Sequence, residues 1–182
     1  MCVIIIKPAG VKMPDASIIE AAHNANPHGC GFVTPNLNYR GLNFTTFKRK
    51  LSQVKESEHC IIHFRLATHG SIKQSNCHPF NYGGIWFAHN GILNIRPKGD
   101  MTDSETALQD ILYPAIVANG FGSKGMSRAV NSIIGSSKFA FLNKGKMIIY
   151  GDFINPGDGC YYSNMRFANP AYSMQYKLKK IS

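Results

Sequence analysis

Acidic side chains are scarce in this chain. Ten Asp and Glu stand against twenty Lys and Arg, giving a formal net charge of +10 and a pI near 9.5. That balance attracts something anionic, whether nucleic acid, an acidic partner or a phosphorylated small molecule. No nucleic-acid-binding motif surrounds the basic clusters at Lys48, Arg49, Lys50 and Lys55, or at Lys177, Lys179 and Lys180. A solvated face and a basic tail over 170–182 account for them. Long hydrophobic runs are also missing. The opening apolar run, residues 3–6, stops at Lys7 and Pro8, too short for the core of a signal peptide, and no later stretch approaches a membrane span. A cytoplasmic protein without membrane contact is expected. The five cysteines (Cys2, Cys30, Cys60, Cys77, Cys160) are odd in number and lack C-x-x-C spacing, so neither a disulfide framework nor a zinc ribbon is indicated. His63, His69 and His78 with Cys77 fit no common zinc spacing, so no metal and no other cofactor is expected. Repeats, low-complexity tracts and linkers are absent, and 182 residues suit a single domain, 1–182.

What is present reads as mixed helix and sheet. Residues 2–6 are β-branched and continuous, as in a strand buried on both faces. A helix is expected from Asp15, capped by Asp15 or Ser17, with Ile18, Ile19, Ala22 and Ala25 on one face before Pro27 and Gly29. A short strand over 31–34 and a turn over 36–38 follow. Phe44, Phe47, Leu51 and Val54 fall at helical spacing, predicting an amphipathic helix over 44–57. Strands are predicted over 59–66 and 84–89, separated by a polar loop. Thr102 and Glu105 form a capping box for a helix that Pro114 should kink or interrupt before Gly120. One further helix ends at Gly135, a hairpin turns over 143–145, and a last strand covers 161–167. Strand, helices, strands, two helices, strands: this order argues for antiparallel sheet covered by helices rather than βαβ alternation.

Cys2 follows the initiator methionine directly. Aminopeptidase trimming would leave a thiol beside its own α-amino group, whose ordinary pKa is about 7.7–8, so nucleophile and base would share one residue. The plainer reading is a small apolar residue opening a buried strand. Four polar strings lie beyond what core packing explains: HFRLATHG (63–70), NCHPF (76–80), AHNG (88–91) and TDSE (102–105). With Cys2, and in this order, they resemble a class II glutamine amidotransferase domain of the N-terminal-nucleophile (Ntn) hydrolase superfamily, in a stand-alone form. The resemblance runs from Cys2 to Glu105 and more loosely through YYSN (161–164). Two positions depart from the family pattern. Val3 replaces the usual glycine, and residues 25–31 lack the Arg, Asp and Trp of an R-G-P-D-G-W-G-like segment.

The resemblance implies a four-layer αββα sandwich of two mostly antiparallel sheets. It implies that Cys2 attacks the side-chain amide of glutamine, with the Asn90 side chain and the Gly91 backbone N–H receiving the oxyanion. Glycine suits that place because it lets the backbone approach a ligand closely, although Asn-Gly is also a type I′ turn. Glutamine is a zwitterion. Arg65 can grip its α-carboxylate with two parallel bonds and Asp103 can take its α-ammonium, while Asp103 also reads as a helix cap. Thr68, His69 and His78 belong to the same strings and are expected to shape the pocket. The expected products are glutamate and ammonia, the ammonia passing to a separate synthetase chain. A γ-glutamyl amide hydrolase of the same fold, and an inactive basic subunit that binds nucleic acid, are the competing readings.

Overall fold

A strand that is apolar at every position needs cover on both faces, and β1 (Val3–Lys7) has it, with all five residues buried. The computed structural model describes residues 2–67 and 71–168. Thr68 stands at the edge of the gap, and Thr68, His69 and the basic tail over 170–182 lie outside the described residues. After β1 come α1 (Ala16–Ala25), β2 (Cys30–Val33), β3 (Asn38–Gly41), α2 (Phe44–Leu51) and β4 (Cys60–Phe64). A 3-10 turn (Gln74–Asn76) leads to β5 (Phe80–Tyr82) and β6 (Ile85–Asn90). Helical structure then runs through α3 (Asp103–Ala107), a π-helical turn (Leu108–Leu112), α4 (Tyr113–Asn119) and α5 (Lys124–Ile133). The hairpin β7 (Lys138–Asn143) and β8 (Lys146–Tyr150) and the short β9 (Tyr161–Tyr162) complete the described order.

One sheet has the order β3-β2-β4-β1-β9 and the other β5-β6-β7-β8, with antiparallel neighbours throughout. Alternation along β1 divides its side chains between two layers. Val3 and Ile5 join Ile19, Phe32, Phe47 and Phe64 beneath α1 and α2. Ile4 and Ile6 point the other way and meet Val33, Ile61, Ala88, Ala140 and Leu142 between the sheets. A third cluster, including Phe87, Phe139, Phe141, Leu108 and Met126, fills the space between the second sheet and its helices. Three apolar layers separate four layers of secondary structure, the αββα sandwich expected from the sequence.

Local differences have local causes. The helix predicted over 44–57 ends at Leu51, where the Gln53 and Val54 N–H groups bond three residues back, to the Lys50 and Leu51 carbonyls, and the chain that follows wraps a buried cation. Lys7 Nζ, fully buried, donates toward the backbone oxygens of Glu56 (2.6 Å), Glu58 (2.7 Å), Pro8 (3.3 Å) and Lys55 (3.3 Å). Pro114 widens its helix rather than ending it. Proline lacks the N–H that would bond the carbonyl four residues back and its ring crowds that carbonyl, and the π-helical turn immediately before α4 accommodates both. The strand predicted over 161–167 shortens to two residues. β3 has no counterpart among the predicted elements, since a polar edge strand carries little alternation of its own.

Replacing Lys7 by Met keeps the volume of the stem but leaves buried carbonyls without a donor, each costing about 1–3 kcal/mol. Lys7→Met is therefore expected to lower the unfolding free energy by roughly 3 kcal/mol, read in urea as a lower midpoint at unchanged slope.

Candidate active site

The register of the first sheet determines what surrounds Cys2. Val3 pairs with Phe64, so the residue before β1 lies across from the chain that leaves β4. The Leu66 N–H donates to Cys2 Sγ at 3.3 Å, and the sulfur lies 3.6 Å from the Leu66 carbonyl oxygen. On the other side of β1, Asn164 follows β9 and its Nδ2 donates to the Cys2 carbonyl at 2.8 Å. Cys2 is half-buried. Burial pushes its thiol above the ordinary value, and the Leu66 hydrogen bond, the positive chain terminus and Arg65 pull it partly back.

Arg65 is buried, and the segment that departs from the family pattern holds its backbone. The His28 N–H donates to the Arg65 carbonyl (2.9 Å), the Arg65 N–H to the Gly29 carbonyl (2.8 Å), and the Ala67 N–H to His28 Nδ1 (3.0 Å). Arg65 Nη1 and Asn76 Nδ2 both donate to the Ser71 carbonyl, at 3.2 and 3.0 Å. Gly31 allows the NCHPF string to lie against β2, since a Cβ there would stand 2.1 Å from the His78 carbonyl oxygen. Lost side chains in this segment therefore leave its backbone work in place.

From the second sheet, β6 delivers Asn90 and then Gly91. Gly91 has φ +149°, and a Cβ on it would meet Ser137 Oγ at 2.1 Å, so no side chain fits. Asp103 opens α3. Its Oδ2 accepts from the Leu93 N–H (3.1 Å) and its Oδ1 from the Ser104 N–H (2.7 Å) and Ser104 Oγ (3.1 Å). Thr102 is the cap, with Oγ1 accepting from the Glu105 N–H at 3.1 Å.

Cys2, Arg65, His78, Gly91 and Asp103 line one cavity of about 550 Å³. Asn90 is buried behind the cavity wall. Its Nδ2 donates to Ser163 Oγ at 2.7 Å, Ser163 Oγ also accepts from the Ile4 N–H at 2.8 Å, and Asn90 Oδ1 has no hydrogen-bond partner among the described residues. Nor do any three His, Cys, Asp or Glu side chains among the described residues come together as a metal site requires. The cavity thus presents a thiol, a forked cation and a carboxylate, which suits a zwitterionic substrate with a carbonyl to be attacked.

Three imidazoles are buried together, two of them at the cavity wall: His63 and His78, with ring centroids 4.5 Å apart, and His89, 6.5 Å from His78. His89 is hydrogen-bonded at both nitrogens, whereas neither ring nitrogen of His63 or His78 closes a hydrogen bond with a described residue. Burial disfavours the charged ring in each case. His63 is lowered to about 3, with a smaller contribution from His89, and His89 to about 4 against the opposing pull of Asp103. His78 is held well below its ordinary value by burial and then by the neighbouring histidines and arginines.

Residues 45–142, just over half of the chain, match the family model described as glutamine amidotransferases class-II. The chain belongs to this family. The matched stretch contains Arg65, His78, Asn90, Gly91 and Asp103, and Cys2 precedes it. Over 59 residues the chain is 34% identical to the probable glutamine amidotransferase DUG3 of Saccharomyces cerevisiae, covering 32% of this chain and 15% of that protein. Among solved structures it resembles the glutamine phosphoribosylpyrophosphate amidotransferase from B. subtilis, with TM-score 0.59 and 20% identity over 92% of this chain and 42% of the other. It also resembles an allosteric regulatory enzyme of purine biosynthesis, with TM-score 0.57 and 18% identity over 97% and 43%. These two likenesses concern the fold, the Ntn-hydrolase arrangement expected from the sequence. The chain spans less than half the length of each of these relatives.

Several residues around the cavity were not singled out from the sequence. Ser104 and His89 stand inside the TDSE and AHNG strings, and Ser163 and Asn164 inside YYSN, so their positions carried a signal. Ser137, between Gly135 and a strand, carried none, and only the fold brings it to Gly91.

The histidine cluster predicts acid lability. The folded state keeps the rings neutral, whereas the unfolded chain protonates them below about pH 6.5. Their contribution is therefore whole above that pH and is lost as pH falls from 6.5 toward 4, at up to about 1.4 kcal/mol per pH unit for each ring. Urea denaturation at stepped pH should show stability falling already between pH 6.5 and 5, above the range in which carboxylates titrate. A shallower slope in His63→Leu would identify His63 as a contributor, and a flat parent profile over that range would remove the effect.

Proposed function

We propose that this amidotransferase hydrolyses the side-chain amide of glutamine through a γ-glutamyl thioester on Cys2. The carrying observation is that a thiol at the head of β1, the Arg65 guanidinium and the Asp103 carboxylate line one cavity in a chain of this family. With the methionine trimmed, the Cys2 α-amine takes the thiol proton as Sγ attacks the amide carbon, and the carbonyl π-electrons move onto oxygen. Collapse of the tetrahedral adduct breaks the C–N bond, and the proton held by the amine goes to the leaving nitrogen, which departs as ammonia. Water then attacks the thioester, giving up a proton to the thiolate, and releases glutamate. The raised thiol pKa of the described form accords with a sulfur that is neutral until a base stands beside it.

The oxyanion takes the Gly91 N–H and the Asn90 amide as donors. Turning the Asn90 amide over lets Ser163 donate to Oδ1 and moves Nδ2 to the buried position that has no partner among the described residues. Arg65 holds the α-carboxylate and Asp103 the α-ammonium. A separate synthetase chain is the destination of the ammonia. A second reading, hydrolysis of a larger γ-glutamyl amide, is favoured by the size of the cavity, which is in the range used for ligands larger than an amino acid, and by an adjoining depression that shares Lys73, Asp100 and Met101 with it.

Intact mass of the purified protein, before and after a diazo-ketone analogue of glutamine, should show the methionine absent and one adduct, lost in Cys2→Ala. Glutamate release should disappear in Cys2→Ala with the fold retained, and persistence of turnover there would reject the thioester. Arg65→Lys keeps the charge and loses the fork, so KM for glutamine should rise about tenfold or more with kcat less affected. Negligible turnover of glutamine beside rapid turnover of a γ-glutamyl anilide would select the second reading.

A further inference from the structure

A chain of hydrogen bonds leads from Asp103 to Ser137, which packs against Gly91, through residues to which the chemistry above gives no part. From Asp103 Oδ1 it runs to Ser104 Oγ (3.1 Å), on to His89 Nδ1 (2.8 Å), across the ring to Nε2, and then to Ser137 Oγ (3.1 Å). Ser137 Oγ also lies 3.3 Å from the Ile92 carbonyl oxygen and against the α-carbon of Gly91. Ser104, His89 and Ser137 are almost wholly buried, at 2%, 4% and 2% exposure, so water does not compete for these bonds.

The direction of the chain follows from donor counting. A carboxylate only accepts, so the single hydroxyl proton of Ser104 points to Asp103. Ser104 Oγ must then accept from the ring, which puts the proton of His89 on Nδ1. Burial lowers the His89 pKa to about 4, so the ring is neutral at neutral pH and Nε2 is an acceptor. Ser137 has one proton, and Nε2 takes it. A neutral ring cannot serve both a Ser104–Asp103 bond (3.1 Å) and a Ser137–Ile92 bond (3.3 Å); the shorter one, to the carboxylate, turns the Ser137 proton to Nε2 and leaves the contact with the Ile92 carbonyl, one residue beyond Gly91, without a proton.

We propose that Ser104, His89 and Ser137 are positioning residues, a directed relay by which the Asp103 carboxylate sets the orientation of the Gly91–Ile92 loop. This deepens the hydrolytic reading and rests on it for its catalytic consequence. Removing the Ser104 hydroxyl frees the ring to take the other tautomer. Nε2–H then donates to Ser137, the Ser137 proton turns to the Ile92 carbonyl, and the peptide beside the oxyanion donor is pulled toward β7. The reacting atoms themselves touch none of the three.

Two measurements decide it. A long-range proton–nitrogen correlation spectrum of protein with isotope-labelled histidine should show His89 protonated at Nδ1 in the parent and at Nε2 in Ser104→Ala. Steady-state kinetics should show kcat for glutamine lowered roughly ten- to a hundredfold in Ser104→Ala, with KM nearly unchanged and alkylation of Cys2 by iodoacetamide as fast as in the parent, and kcat returned toward the parent value when Ser137→Ala is added, because no hydroxyl then remains to pull the Ile92 carbonyl. An Nε2 proton on His89 in the parent overturns the relay, and so does a parental kcat in Ser104→Ala. If the parent hydrolyses no glutamine, the hydrolytic reading falls, and the His89 tautomer in the parent then decides the relay by itself. Should a serine variant fail to fold, the parent spectrum still decides the matter.

Discussion

Every feature of the site depends on β1 being buried on both faces while paired on both edges. Its side chains supply two of the three apolar layers, each buried Ile or Val contributing about 1.5–3 kcal/mol. A one-residue slip of such a strand would exchange the residues facing the helices with those facing the other sheet. The register with β4 is therefore strongly specified, and with it the meeting of Cys2 and Leu66. The apolar run and the placement of the thiol are one constraint seen at two scales.

The same packing explains why so much polarity survives in the interior. His63 lies on the inter-sheet face of β4, His89 on the helix-facing side of β6, and His78 in the loop pressed against Gly31. Their charged forms are suppressed by desolvation rather than by any single neighbour. Neutral imidazoles can act as both donor and acceptor, which a lysine or carboxylate in the same place could not. Lys7 is the contrasting case, a cation kept in the interior by backbone oxygens of Pro8 and of the segment between α2 and β4.

Much of this is legible in the residues alone. The continuous run over residues 3–6 announces a doubly covered strand, Thr102 does cap a helix, and Lys144 and Gly145, both with positive φ, turn the hairpin. Periodicity fails where backbone partners rather than side-chain patterns decide the outcome. α2 stops at Leu51 although Val54 continues its apolar stripe, because the N–H groups of Gln53 and Val54 bond three residues back and tighten the last turn. The strings of polar residues point to Cys2, Arg65, Gly91 and Asp103, which line one cavity. They do not disclose that Asn90 faces Ser163, or that Ser137 abuts Gly91. Both contacts are made across separations that no local window spans.

Ser163 and Asn164 bond to Ile4 and Cys2 across 159 and 162 positions of chain. Synthesis releases β1 and Cys2 well before these anchors, so a nascent polypeptide interrupted ahead of them carries a thiol without its frame. Long-range closure of this kind is slow compared with helix or hairpin formation. The frame around Cys2 is thus completed late in the making of the chain, when β9 docks and fastens β1 in place.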